Sequence, residues 1–348
     1  MRFVFLPFNA LFFVVCAAVI LLSGCGAMPR TTPSQVTSPP VLPATTPAPN
    51  AADPAPAPSP DPSPAPSPVS SGTPSPDASN PTVPRSKHVV LVIEENHSYS
   101  EVHDGGMPWL VQQGWDYAFA ANYHADAVGS AIDYFWLSSG SSELQFGCAG
   151  WGCSKPITSD NIFRELNRAG LSWKVYAESL PEVGWMKGDS GLYAVRHNPA
   201  AWYSDIIDSA AQQRKMVPIT EFAADMSNEH LPTYSLIIPN LNHDAHSGTL
   251  LQADQWLEAN VGSLLKQPYF RAGGDGLLIV TFDECDAAEG HCPEHIYTAL
   301  IGPNVKRSYK SNQSYRHENT LRTMLEALGM DVYPGAAQHA QSMLDFFQ

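Results

Sequence analysis

The chain has 348 residues, with 34 Asp and Glu against 19 Lys and Arg, a formal charge of −15 and a pI near 5.1. So acidic a chain offers no electrostatic footprint for nucleic acid, whose phosphates would repel it, and no nucleic-acid partner is expected. Of its 31 prolines, 18 fall between positions 31 and 84, which leaves residues 85–348 as the part able to bury a sizeable core.

In chain order, the first segment holds one early cation, Arg2, then a largely apolar stretch over residues 3–22, then Ser23 and Gly24 ahead of Cys25. An apolar run of this length is either a spanning helix or a cleaved leader. Small residues directly before a cysteine resemble a bacterial lipobox. That resemblance implies a signal peptide over residues 1–24 and Cys25 as the lipidation (palmitate) site. The protein would then be exported and lipid-anchored to a bacterial membrane, with its domain outside the cytoplasm, in the periplasm or at the cell surface. Residues 25–84 follow as a tether. From residue 31 onward the tether is mainly Pro, Ala, Ser and Thr, with no aromatic residue and charges only at Asp53, Asp61 and Asp77. Such a stretch cannot offset its ordering entropy, and its proline density makes it semi-extended.

The domain over residues 85–348 holds four cysteines, for which three pairings exist. Short separations favour Cys148–Cys153 and Cys285–Cys292 in an oxidising compartment. A zinc site on all four thiolates is the alternative, and these spacings fit the usual tight zinc knuckle poorly.

Residues 88–93, 233–238, 276–282 and 296–301 are near-continuous apolar runs of strand length, whereas residues 160–169, 249–265 and 317–328 read as helices. Strands buried on both faces and alternating with helices predict an α/β fold with a largely parallel central sheet flanked by helices. In such sheets function gathers beyond the carboxyl ends of the strands. Three runs end in polar clusters: Glu94, Glu95, Asn96, His97 and Ser98 after the first; Asn240, Asn242, His243, Asp244 and His246 after the second; Asp283 and Glu284 after the third. Any one cluster is ordinary turn chemistry. Three on one sheet edge describe a divalent-cation or phosphate-handling site.

Five segments occur in a fixed order: Glu94-Glu95-Asn96-His97-Ser98, Arg196-His197-Asn198-Pro199, Pro239-Asn240-Leu241-Asn242-His243-Asp244-Ala245-His246, Leu278-Ile279-Val280-Thr281-Phe282-Asp283-Glu284 and His317-Glu318-Asn319-Thr320-Leu321-Arg322-Thr323. Together they resemble the bacterial acid phosphatase and phospholipase C phosphoesterase family, a branch of the alkaline-phosphatase-like superfamily, and its secreted acid phosphatases above all. The resemblance implies one or more divalent metal ions on Glu95, Asn96, Asp283 and Glu284, with Glu94 behind them. It places the nucleophile at Ser130, within Asn122-Tyr123-His124-Ala125-Asp126-Ala127-Val128-Gly129-Ser130-Ala131-Ile132-Asp133-Tyr134, at the start of a helix whose N–H groups would receive phosphate oxygens. His246 is the first candidate to contact phosphate or protonate the leaving oxygen, with His197 and His295 next. Asn240 and Asp244 are candidate phosphate-binding residues.

Val128 and Gly129 stand where the family has His-Pro, and Asp133 stands where it has Asn. An ionised Asp beside phosphate would repel it, and Ser130-x-x-Asp133 also reads as a capping box. The implied activity is metal-dependent hydrolysis of phosphate monoesters through a phosphoserine, on a small phosphate ester or a phospholipid head group. The alternatives are a phosphodiesterase of phospholipase C type and a catalytically silent metal-binding surface lipoprotein. Trp109, Trp115, Trp151 and Trp185 are candidates to line a substrate cleft, although Trp is common at half-buried positions.

Overall fold

A computed structural model describes residues 82–285 and 294–348 of the protein. The leader, Cys25, the tether up to residue 81 and Cys292 lie outside the described residues, and with them the expected lipidation and the Cys285–Cys292 bond. Among the described residues no helix is long and apolar enough to cross a membrane.

The strands are β1 (His88–Glu94), β2 (Ala118–Ala120), β3 (Cys148–Ala149), β4 (Gly152–Cys153), β5 (Trp173–Ala177), β6 (Met216–Pro218), β7 (Tyr234–Ile238), β8 (Gly276–Phe282), β9 (Thr298–Ile301) and β10 (Tyr309–Ser311). Eight of them form one sheet in the order β10-β2-β9-β8-β1-β7-β5-β6, and β3 and β4 make a separate hairpin. The runs of Val, Leu and Ile in β1, β7 and β8 are buried throughout because helices cover both faces of the sheet. β9 alone runs antiparallel to its neighbours, pairing Thr281 with Thr298 on one side and Ala120 with Thr298 on the other. The sheet is thus parallel apart from this strand.

Register decides what reaches the sheet edge. In the parallel pair β1–β8, Glu94 lies opposite Phe282, so the next residues, Glu95 and Asp283, leave the sheet side by side. The Asp283 N–H donates to the Glu94 carbonyl at 3.0 Å, and the Glu95 N–H to the Asp244 carbonyl at 2.7 Å. The second bond binds the loop after β7 to the end of β1. The edge helices are locally encoded: Thr249 and Gln252 form a capping box on Leu250–Val261, and the Asn161 side chain accepts from the Arg164 N–H at the start of Ile162–Arg168.

Candidate active site

Ser130 is the first residue of the helix Ser130–Ser139, yet its side chain does not cap that helix; the residue before it, Gly129, occupies the cap position. The capping-box reading therefore fails. Ser130 Oγ instead lies 3.0 Å from Glu95 Oε2 and 3.3 Å from Glu284 Oε1. The Gly129 N–H donates to Glu284 Oε2 at 2.6 Å, an anchor that a proline at this position would remove. Gly129 has φ +120°, and a Cβ there would come within 2.9 Å of Gly150 Cα. The Gly129→Ala variant is expected to lose roughly 2 kcal/mol of stability from strain and contact, with Ser130 displaced. Denaturant unfolding and ester kinetics would check this, and an unchanged midpoint would contradict it. The N–H groups of Ala131 and Ile132 are spent on the carbonyls of Gly150 and Gly129, so the expected backbone cradle for phosphate is not supplied by either.

Behind Ser130 lies a buried, crowded set of carboxylates. Burial raises the Glu95 pKa well above the usual carboxylate range, and Asp283, Asp244 and Glu284 push it further. Burial and Glu284 do the same to Asp283, and burial lifts Asp244 to about 7. Burial keeps His197 neutral, with Arg196 acting in the same direction. His197 Nδ1 lies 3.2 Å from Asp244 Oδ2, and its Nε2 lies 3.1 Å from Glu95 Oε1. With Nδ1–H donated to Asp244, the Nε2 lone pair faces a carboxylate oxygen, and neither atom has a hydrogen-bond partner. Asp283 Oδ2 is also buried and unpartnered, while its Oδ1 accepts from the Asn96 N–H at 3.0 Å. Two facing acceptors in a buried acidic pocket fit a cation between them, and a carboxylate behind a histidine ring is the usual support of a metal ligand. Glu95, His197 and His246 bring ligand atoms within 4.8 Å of one another. The donor set thus fits a divalent ion, with Glu95 turning one oxygen to the histidines and the other to Ser130.

Asp133 does not face the phosphate position. Its Oδ1 accepts from the N–H groups of Asp126 and Ala127 and lies 3.5 Å from His317 Nε2. His317 donates from Nε2 to the Asp283 carbonyl at 2.6 Å, and its Nδ1 meets the Tyr123 hydroxyl at 3.1 Å. Burial opposes charge on His317, but contact with Asp133 outweighs it and carries the pKa up to about 9. An Asp at position 133 is therefore the partner of a buried imidazolium that braces Asp283 from behind. Because the folded value is raised, this pair stabilises the fold fully below about pH 6.5 and ceases to as pH passes about 9, a change of order 3 kcal/mol. In EDTA, His317→Gln should start lower and fall less steeply across that window than the wild type, because the buried carboxylates titrate in both but the imidazolium only in the wild type. A variant profile as steep as the wild type's would refute the assignment.

Other expected residues are placed differently. Asn240 spends its side chain locally: Oδ1 accepts from the N–H groups of Asn242 and His243, and Nδ2 donates to Ser179 Oγ. It shapes the loop after β7. Asp244 orients His197 and accepts from the His246 N–H, a supporting position. His295 stacks on Tyr99 and His124 and its Nε2 meets the Ala121 carbonyl. Glu94 is wholly buried on the opposite face of β1 from Glu95 and both its oxygens lack partners. Two residues were not singled out for this site by the sequence. Glu178, just past β5, accepts from Trp256 Nε1 and the Asn240 N–H and contacts His243 Nδ1, which fastens the loop after β7. Arg196 is buried, pairs with Asp189 at 2.9 Å and reaches His246 Nε2 at 3.3 Å. The expected Cys148–Cys153 disulfide is present, across the β3–β4 hairpin.

A hydroxyl braced by carboxylates at the carboxyl edge of a mixed sheet, with histidines opposite, is an arrangement suited to phosphoric ester hydrolysis. The chain belongs to the Phosphoesterase family, whose model matches residues 103–330. It is 29% identical over 269 residues to a phosphatidylinositol-3-phosphatase of Mycobacterium tuberculosis, covering 76% of this chain and 84% of that one. It is 25% identical to an acid phosphatase of Aspergillus fumigatus over 68% of this chain, spanning about half (53%) of the fungal protein. Among solved structures, a protein of the alkaline phosphatase superfamily from Vibrio parahaemolyticus shares the fold, with TM-score 0.52 and 12% identity over 73% of this chain and 69% of that one.

Proposed function

We propose that the protein hydrolyses phosphate monoesters in the manner of an acid phosphatase, through a phosphoserine on Ser130 and with one or more divalent ions. We place this activity outside the cytoplasm, on a domain over residues 85–348 tethered through residues 25–84 to a lipid on Cys25. The names of the mycobacterial and fungal relatives support a phosphatase, and the first brings a phospholipid head group among the candidate substrates.

The observation that carries the reading is Ser130 Oγ between Glu95 Oε2 and Glu284 Oε1. A hydroxyl has one hydrogen to give, so the second carboxylate faces its lone pairs unless one carboxyl is protonated or a cation lies between them, and a divalent ion meets the whole acidic cluster at once. Glu95, Asn96, Asp283 and Glu284 would hold the ion beside Ser130, and His197 and His246 face the other oxygen of Glu95. A divalent ion there supplies the charge that lowers the hydroxyl pKa and offsets that of the phosphate. The Ser130 proton passes to a neighbouring carboxylate as Oγ attacks phosphorus and the bond to the leaving oxygen breaks. The leaving oxygen takes up a proton from water, with His246 placed to contact the phosphate. Water then cleaves the Oγ–P bond, releasing inorganic phosphate and restoring the hydroxyl. Arg196, permanently charged, offers its guanidinium to the phosphate oxygens.

p-Nitrophenyl phosphate hydrolysis from acid to alkaline pH, with EDTA and with divalent metals added back, tests this. Turnover lost in EDTA and restored by metal is expected. Turnover of bis(p-nitrophenyl) phosphate in preference to the monoester would replace the reading with a phosphodiesterase, and metal binding without turnover of either would point to the silent lipoprotein.

A further inference from the structure

The hairpin β3–β4 carries Trp151 at its tip, closed behind by Cys148–Cys153. Two independent contacts place that tip at the mouth of the Ser130 cluster. Along the backbone, the Gly150 carbonyl accepts from the Ala131 N–H, and Gly150 packs against Gly129 so closely that a Cβ on either would collide with the other. Through side chains, the Trp151 ring lies 5.0 Å from the Arg196 guanidinium, which reaches His246. The hairpin tip thus touches the backbone on either side of Ser130 through Gly150, and Arg196 through the Trp151 ring. Trp151 is nonetheless 77% exposed, and Val128, next to Gly129 in the chain, is 56% exposed. A large aromatic ring held on a disulfide-closed loop, with one face on a cation and much of its surface in water, has room for a second flat apolar group.

We propose that Trp151 is the specificity-determining residue for the leaving group: with phosphate at Ser130, the organic part of an aromatic or apolar phosphate monoester packs on its ring. The proposal rests on the monoesterase reading above. Cys148–Cys153 limits where the ring can go, so the shelf exists before substrate arrives. Arg196 also pairs with Asp189 at 2.9 Å, a contact that does not use the Trp151 ring.

The test compares two esters with one phosphate end, 1-naphthyl phosphate and glycerol 2-phosphate, on the full chain with metal. Trp151→Ala should raise KM for the naphthyl ester by about five-fold, the size of a lost aromatic contact. Its kcat, and both constants for the glycerol ester, should be unchanged. Trp151→Phe should restore most of the loss, and Cys148→Ser should shift the naphthyl KM in the same direction as Trp151→Ala. Because the ring is mostly exposed, the alanine variant should keep its core contacts and a wild-type circular dichroism spectrum. Equal KM changes for both esters, or none, would overturn the shelf while leaving the phosphatase reading intact. Failure of the wild type to turn over either ester would overturn both.

Discussion

Replacing Ser130 with alanine is expected to lower kcat for p-nitrophenyl phosphate by about 10³-fold or more, with the far-ultraviolet spectrum and unfolding midpoint close to wild type. The magnitude follows from removing the attacking atom rather than an assisting one. The fold survives because Ser130 contributes no cap: the helix it opens is held by the Gly150–Ala131 and Gly129–Ile132 bonds, which use backbone atoms only. Metal content should stay within a factor of about two, since the carboxylates remain and oxygen ligands are supplied by more than one residue. Turnover that persists in Ser130→Ala at more than a few per cent would move the nucleophile elsewhere in the cluster.

The Asp283→Asn variant is expected to show opposite effects on activity and on metal-free stability. Asp283 Oδ1 accepts the Asn96 N–H, a bond an amide oxygen reproduces, whereas Oδ2 is buried without a partner. Burial and Glu284 raise the Asp283 pKa, so the folded chain in EDTA is penalised for this charge once pH exceeds the ordinary carboxylate range. The neutral amide removes that penalty and should stabilise the metal-free protein at neutral pH by roughly 1–2 kcal/mol. With metal present the order should reverse, because the wild type alone gains the binding energy of the ion. Turnover should fall by about 10²-fold or more as the metal is lost. Calorimetry with EDTA and with saturating metal reads both arms. Asp283→Asn less stable than wild type in both conditions would mean that the carboxylate is a structural acceptor with no cation to hold.

The parts of this site that could be read from the sequence are those that follow long apolar runs. β1, β7 and β8 are uninterrupted and buried, so the residues after each of them, Glu95, Asp244 and Asp283, could be assigned to one edge. β5 was hidden because Lys174 breaks its run, its ammonium paired with Asp225 at the surface, and Glu178 was hidden with it. β2, β6 and β10 have three residues each, too few for an apolar run to stand out. Asp133 looked like a liability since its compensating partner, His317, lies far along the chain, and a buried pairing of that kind leaves no local pattern. Asn240 and Asp244 are a similar case: polar loop residues whose bonds to the loop and to a histidine leave no local pattern either. The largely parallel sheet was legible, but the reversal of β9 was not, since an apolar run carries no strand direction.

The central claim is a covalent phosphoryl group on Ser130, and acid quenching during steady-state turnover of p-nitrophenyl phosphate, followed by digestion and mass spectrometry, tests it most directly. The account predicts one phosphoryl group on the peptide that contains Ser130, absent from Ser130→Ala and absent when EDTA is added before substrate. Substrate consumed at the wild-type rate with that peptide unmodified, under conditions where a pre-steady-state burst is seen, would contradict it.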